Sequence, residues 1–149
     1  MTPRLSRIVS TDWPSLACVI AVPVLLVASL VHPLAFRATG KSTPMFLEFG
    51  VPAAATCLGV LVWRIRRVLN IYGKGNEFTG RVTRVQLTRD RGRIEFEYRV
   101  GAAVHTAWQP VHKTANVTRI IAGQQVKVLA LPSRANTAII RALFEDRDA

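Results

Sequence analysis

Few side chains in this chain could move a proton, hold a metal or attack an electrophile. There are three histidines, His32, His105 and His112, and two cysteines, Cys18 and Cys57. His105 and His112 stand seven apart across Pro110, a spacing that matches no metal-site pattern, and Glu95 and Glu97 precede them. General acid–base work needs such groups converged and their pKa values displaced. No His-x-x-x-His, Cys-x-x-Cys, glycine-rich phosphate loop or nucleophile elbow supplies the frame for it. Both cysteines lie in apolar runs, where they behave as small hydrophobes rather than as a disulfide pair. The reading is a non-enzyme with no catalytic, cofactor-binding or metal-ligating residues. Binding chemistry remains. Arg64, Arg66 and Arg67 are candidates for lipid or partner contact, as are Arg93, Arg99 and Trp108, with the tryptophan as the aromatic of the set. Gly50, Ala54, Ala55 and Gly59 are candidates for helix packing.

The elements that must carry these residues differ sharply in composition. Residues 14–63 hold only Arg37, Lys41 and Glu48 as charges, whereas 64–149 hold 16 Lys or Arg against seven Asp or Glu. From Met45 to Trp63, nineteen residues carry one charge, and Arg64, Arg66 and Arg67 follow at once. At about 1.5 Å per residue such a helix covers roughly 28 Å, the thickness of a bilayer's hydrocarbon core. A first span is expected over 14–37, entered at Trp13 as an interfacial aromatic. Its length and the lack of a small-x-small cleavage site weigh against a secretory leader. Pro23 should kink it. His32 near its far end is read as an interfacial polar group rather than a haem or chlorophyll ligand, and Glu48 as a snorkelling carboxylate. Residues 38–44 form a short loop, so the two spans are antiparallel neighbours. Arg4, Arg7, Arg64, Arg66 and Arg67 on one side outweigh Arg37 and Lys41 on the other, which puts both termini in the cytoplasm.

After the spans comes a basic juxtamembrane helix and linker over 64–75, read as an amphipathic stalk through Ile65, Val68, Leu69 and Tyr72 that stops at Gly73 and Gly75. From residue 76 the period changes from helical to alternating. Ile94, Phe96, Tyr98 and Val100 oppose Arg93, Glu95, Glu97 and Arg99, the clearest strand in the chain. Strands are expected near 79–89, 93–100, 104–109, 125–130 and 138–144, with a bulge where Val82 falls out of phase with Val85 and Leu87. Val117 to Ile121 should make a helical turn within a connection. His105 is expected on the solvated face, opposite Val104, Thr106 and Trp108. The residues from Glu145 to the end should fray. The fold class is thus a membrane α-helical hairpin, two transmembrane helices, plus a small all-β module over 76–146, a five-stranded barrel of the OB or SH3 kind; residues 1–13 are a cytoplasmic tail.

Gly80, Arg81 and Val82 opening a strand, Phe96 to Gly101 closing one, and then Gly123, Val126, Val128, Leu131, Pro132, Asn136 and Ala138 resemble a group of bacterial two-span membrane proteins with a small cytoplasmic β module, known as a domain of unknown function. Ala130 and Thr137 stand where that group tends to have an acidic residue and a second proline. A fainter likeness is to membrane-anchored OB-type modules that partner stomatin-like proteins. The resemblance implies a bacterial inner-membrane location and transfers no catalytic residue. Three functions fit. The first is a non-catalytic membrane-anchored scaffold or accessory subunit, whose basic module contacts a larger membrane complex or the anionic lipid surface. The second is a membrane-tethered nucleic-acid-binding or regulatory module, disfavoured because Phe96 and Tyr98 share the apolar face with Ile94 and Val100. The third is an accessory subunit of a respiratory or photosynthetic complex. Expected partners are membrane lipid and other membrane subunits or self, with no small-molecule substrate.

Overall fold

The computed structural model describes residues 3–37, 45–131 and 134–145. They divide into two units, one of Met1–Trp13 with Ile65–Ala149 and one of Pro14–Arg64. The second unit is built from the long helices α2 (Trp13–Arg37) and α3 (Met45–Lys74), α1 being Leu5–Thr11 in the first unit. Both long helices are of a length and apolarity to cross a membrane. α2 is assigned as helix straight through Pro23, and the expected loop at 38–44 lies outside the described residues. Between the two helices Gly50 is buried against Ser29: a Cβ on Gly50 would come within 2.1 Å of the Ser29 hydroxyl. That hydroxyl donates to the Leu25 carbonyl at 2.7 Å, so its polar group is satisfied within its own helix.

The first unit is a five-stranded antiparallel sheet in the order β3-β2-β1-β4-β5. Its strands are β1 (Asn76–Thr88), β2 (Arg91–Val100), β3 (Ala103–His112), β4 (Gln125–Leu131) and β5 (Arg134–Ile140). The thirteen-residue β1 pairs with β4 through its first half, Asn76 to Arg81, and with β2 from Gly80 to Thr88. One strand thereby belongs to both halves of the sheet and curls it. The register slips between Val82 and Arg84, the bulge expected from the phase of Val82, and a bulge bends its strand. The edges β3 and β5 come together: the Ile140 amide donates to the Gln109 side-chain carbonyl at 3.1 Å, both residues being buried. The sheet is nearly closed, with a core of Val82, Ile94, Phe96, Tyr98, Val111, Val128 and Ile140.

Several elements depart from the sequence reading. β3 runs on past Pro110 to His112, because β3 is an edge strand where a missing N–H costs no ladder bond. β5 stops at Ile140 and a 3₁₀ turn takes Arg141–Leu143. Leu143 and Phe144 are both buried there. The turn before β2 is made by Arg89, at φ 50°, and Asp90, with Gly92 already inside the strand. Val117–Arg119 form the expected helical turn.

The stretch after Arg64 is not a free stalk. Val68 and Ile71 are core residues, with Ile65 and Tyr72 packed against them, while Leu69 is exposed. Tyr72 donates its hydroxyl to the Arg141 carbonyl at 2.9 Å and meets Phe144 edge-on at 6.2 Å. Nor do residues 1–13 hang loose. Helix α1 buries Ile8 completely in the same core, and the Thr11 hydroxyl donates to the Leu143 carbonyl at 3.3 Å. At the end of this segment Trp13 stacks on His112, rings 6.0 Å apart and 22° from parallel.

Candidate partner surface

Alternation along β2 and β3 decides which chemistry faces outward. Ile94, Phe96 and Tyr98 are inside, so Arg93, Glu95, Glu97 and Arg99 line the outer face. On β3 the inward set is Ala107, Gln109 and Val111, which leaves Val104, Thr106 and Trp108 outside. This reverses the expectation for His105. It shares the inward parity of Ala107, is half-buried, and lies 5.8 Å from the Tyr98 ring. The small Ala107 and the amide-bearing Gln109 go inside while the larger Trp108 does not, which hydrophobicity alone would not assign.

Register then sets the outer side chains in cross-strand rows. Arg84, Glu95 and Trp108 form one, Gln125, Arg81, Glu97 and Thr106 the next, and Lys127, Thr79, Arg99 and Val104 the third. Trp108 is 56% exposed and Val104 54%, so two large apolar side chains stand in a cationic field. The Arg93 guanidinium lies 4.6 Å from the centroid of the Trp108 ring, cation–π geometry, and also pairs with Glu95 at 3.0 Å. That pair fixes the indole as a flat platform with a charged edge. Beside it a shallow depression of about 460 Å³ is lined by Thr79, Arg81, Glu97, Arg99, Val104 and Gln125. The floor is closed at Gly80, where a Cβ would meet Val128 Cγ2 at 2.7 Å and the Glu97 carbonyl at 2.9 Å. Two guanidiniums, one carboxylate and an apolar patch suit an anionic, partly apolar partner.

Of the other sequence candidates, Arg66 and Arg67 are exposed and Arg64 half-buried on α3. Gly50 and Ala54 are buried, whereas Ala55 and Gly59 look outward, with nothing within 4 Å of a Cβ placed on Gly59. Glu48 is exposed in the first turn of α3, where a carboxylate faces the positive end of the helix dipole. Among the described residues no group of three His, Cys, Asp or Glu converges as a metal-binding cluster. His112 leaves Nδ1 buried without a hydrogen-bond partner under the Trp13 ring.

Sequence reasoning missed a polar cluster that borders the third outer row. Glu77 bridges Lys127, at 2.9 Å, and Arg141, and Arg141 also pairs with Glu145. Hydrogen bonds from Lys127 and then Arg141 hold the Glu77 carboxyl below its usual range, and the hydrogen bonds Arg141 donates to Glu145 and Glu77 raise its own pKa. Glu145, expected to fray, is instead half-buried in this network. The Glu77–Arg141 pair spans 64 residues, and nothing in local sequence announces it. The layout of two long apolar helices and a small, nearly closed antiparallel sheet stands on this geometry alone: no protein-family model, curated protein or solved structure matches the chain.

Proposed function

We propose that this protein is a non-catalytic membrane-anchored adaptor, in which α2 and α3 span a bilayer as a hairpin and hold a basic β module at its cytoplasmic surface. The observation that carries the reading is the exposure of the helices. Among the described residues, fourteen large apolar side chains of α2 and α3, from Val19 to Trp63, are exposed, and only 17% and 11% of the two apolar windows are buried. A helix from a soluble core hides such residues, each gaining about 1.5–3 kcal/mol by leaving water. Helices apolar all round need lipid.

Topology has its own support. Ile8, before the first span, and Val68, after the second, belong to one core, which supports both ends of the helix pair lying on one side of the membrane. The arginines around those ends favour the cytoplasm. The module's curled sheet, with β1 shared between two strand pairs, supports a barrel of the OB or SH3 kind, and the layout agrees with the bacterial inner-membrane two-span group. Within the reading, the Trp108 face takes the partner, a larger membrane complex. Nucleic acid fits less well, since Phe96 is 0% and Tyr98 2% exposed and neither can stack on a base.

Alkaline carbonate extraction of native membranes tests the anchor, the expected result being retention in the pellet; release into the supernatant would sink the reading. A photo-crosslinking amino acid at position 108 of the full chain tests the face. A discrete adduct from 108, and none from Thr88, is expected. Submicromolar binding of a single-stranded oligonucleotide with a steep salt slope would instead establish the nucleic-acid reading.

A further inference from the structure

At the end of the barrel opposite the Val104 row, the hairpin turn between β1 and β2 presents Arg89 and Arg91, both exposed, around the exposed Asp90. The Lys113 amide donates to the Asp90 carbonyl at 2.9 Å, and Arg91 is the register partner of His112, so the exposed Lys113 joins the same rim. Three cations and one carboxylate leave the rim at 3 − 1 = +2. Among the described residues none of the three cations has an ion pair. A rim with a net charge of +2 attracts anions.

The rim's position says which anion. His112, in register with Arg91, carries the Trp13 ring stacked on it, and Trp13 is the first residue of the apolar helix α2. A tryptophan that opens a membrane-length helix sits at headgroup depth. The rim is therefore one register position from the residue at which the chain enters α2, while the Trp108 platform, four residues further along β3, stands about 13 Å away at strand rise.

Resting on the membrane-anchored reading, we infer that Arg89, Arg91 and Lys113 form a binding site for the phosphate headgroups of anionic phospholipid in the bilayer that α2 enters. The stacked Trp13–His112 pair ties the site to the first residue of α2.

The test uses the full chain in neutral detergent and native mass spectrometry with added short-chain phosphatidylglycerol, phosphatidylcholine or glycerol phosphate. Phosphatidylglycerol should bind in preference to phosphatidylcholine, and glycerol phosphate weakly, since it lacks the acyl chains that hold a headgroup at the rim. The triple variant Arg89→Asn, Arg91→Gln, Lys113→Gln should lose phosphatidylglycerol affinity about 100-fold, or about fivefold per residue, as expected for about 1 kcal/mol per basic residue at an anionic surface. A control with the same charge change elsewhere on the module, at the exposed Lys74→Gln, Arg84→Gln, Arg119→Gln, should keep it. Equal affinity for the two lipids, equal loss in both triple variants, or glycerol phosphate binding as tightly as lipid would overturn the site. Carbonate extraction of the same variants separates the readings. Resistance with no lipid preference removes the rim site alone, and release from the membrane removes the anchor beneath it.

Discussion

Gly80 stands where β1 passes from β4 to β2, and both neighbours close on it. A Cβ there would be 2.9 Å from the Glu97 backbone carbonyl, which cannot move without breaking register, and 2.7 Å from Val128 Cγ2, which can rotate. Gly80→Ala should therefore destabilise the module by about 1–3 kcal/mol, the usual cost of forcing a methyl into a packed site; a thermal melt of the detergent-solubilised chain reads it, and an unchanged midpoint would mean the strands relax apart. Glu77 makes a different prediction, in pH. Its carboxyl is held below its usual range by Lys127 and Arg141, so its contribution to stability is complete above the ordinary glutamate pKa and is lost as pH falls through the depressed value. Glu77→Gln should flatten the acid limb of a pH series of melts and leave the pH dependence above pH 6 as in the parent. Gly80 was legible as the glycine that leads a strand; its reason, two neighbours from residues 97 and 128, was not. Glu77 was not legible at all, since its guanidinium partner is 64 residues away.

Between elements, closure of the barrel depends on one side chain. β3 and β5 share no backbone ladder, and the buried Ile140 amide is satisfied by the Gln109 carbonyl at 3.1 Å. Gln109→Leu keeps most of the volume and removes the acceptor, so it should cost about 1–3 kcal/mol for an unsatisfied buried donor. Hydrogen exchange gives the finer reading: the Ile140 amide should exchange faster, with Ile94 and Phe96 in the middle of β2 unchanged locally. Protection retained at Ile140 would show that β3 and β5 pair through another group. The strands themselves were readable because alternation marks a sheet with one buried face, most clearly in Ile94, Phe96, Tyr98 and Val100. Their ends were not. Pro110 looks like a stop, yet the edge position of β3 admits it, and the hydrophobic run Ile139–Ile140 continues to Leu143–Phe144 with no local mark where strand yields to a 3₁₀ turn. The parity of β3 also escaped, because Trp108 outweighs Ala107 on any hydrophobicity scale and only the cation–π contact with Arg93 explains its place outside.

For the whole molecule, the decisive feature is that the β module is completed by chain from both sides of the helix pair. Ile8 contributes a fully buried side chain and Thr11 a hydrogen bond to Leu143, while Val68 and Ile71 close the core from the other end. Sequence read these segments as a tail and a stalk, since seven residues of α1 show too little periodicity to announce a buried face. The apolar helices were plain from composition, but that the module needs the residues before them follows only from packing. Removing residues 1–12 should therefore separate two properties. The two long helices remain as apolar as before, so the truncated chain should still resist carbonate extraction. The module loses Ile8, a deletion of the kind that costs about 2–5 kcal/mol when a buried isoleucine becomes alanine, and its open form becomes correspondingly more populated. Limited proteolysis of inside-out membrane vesicles should then cut the module several times faster than in the parent, and Ile8→Ala alone should reproduce most of the change. Equal cleavage rates would show that α1 lies on the barrel without holding it.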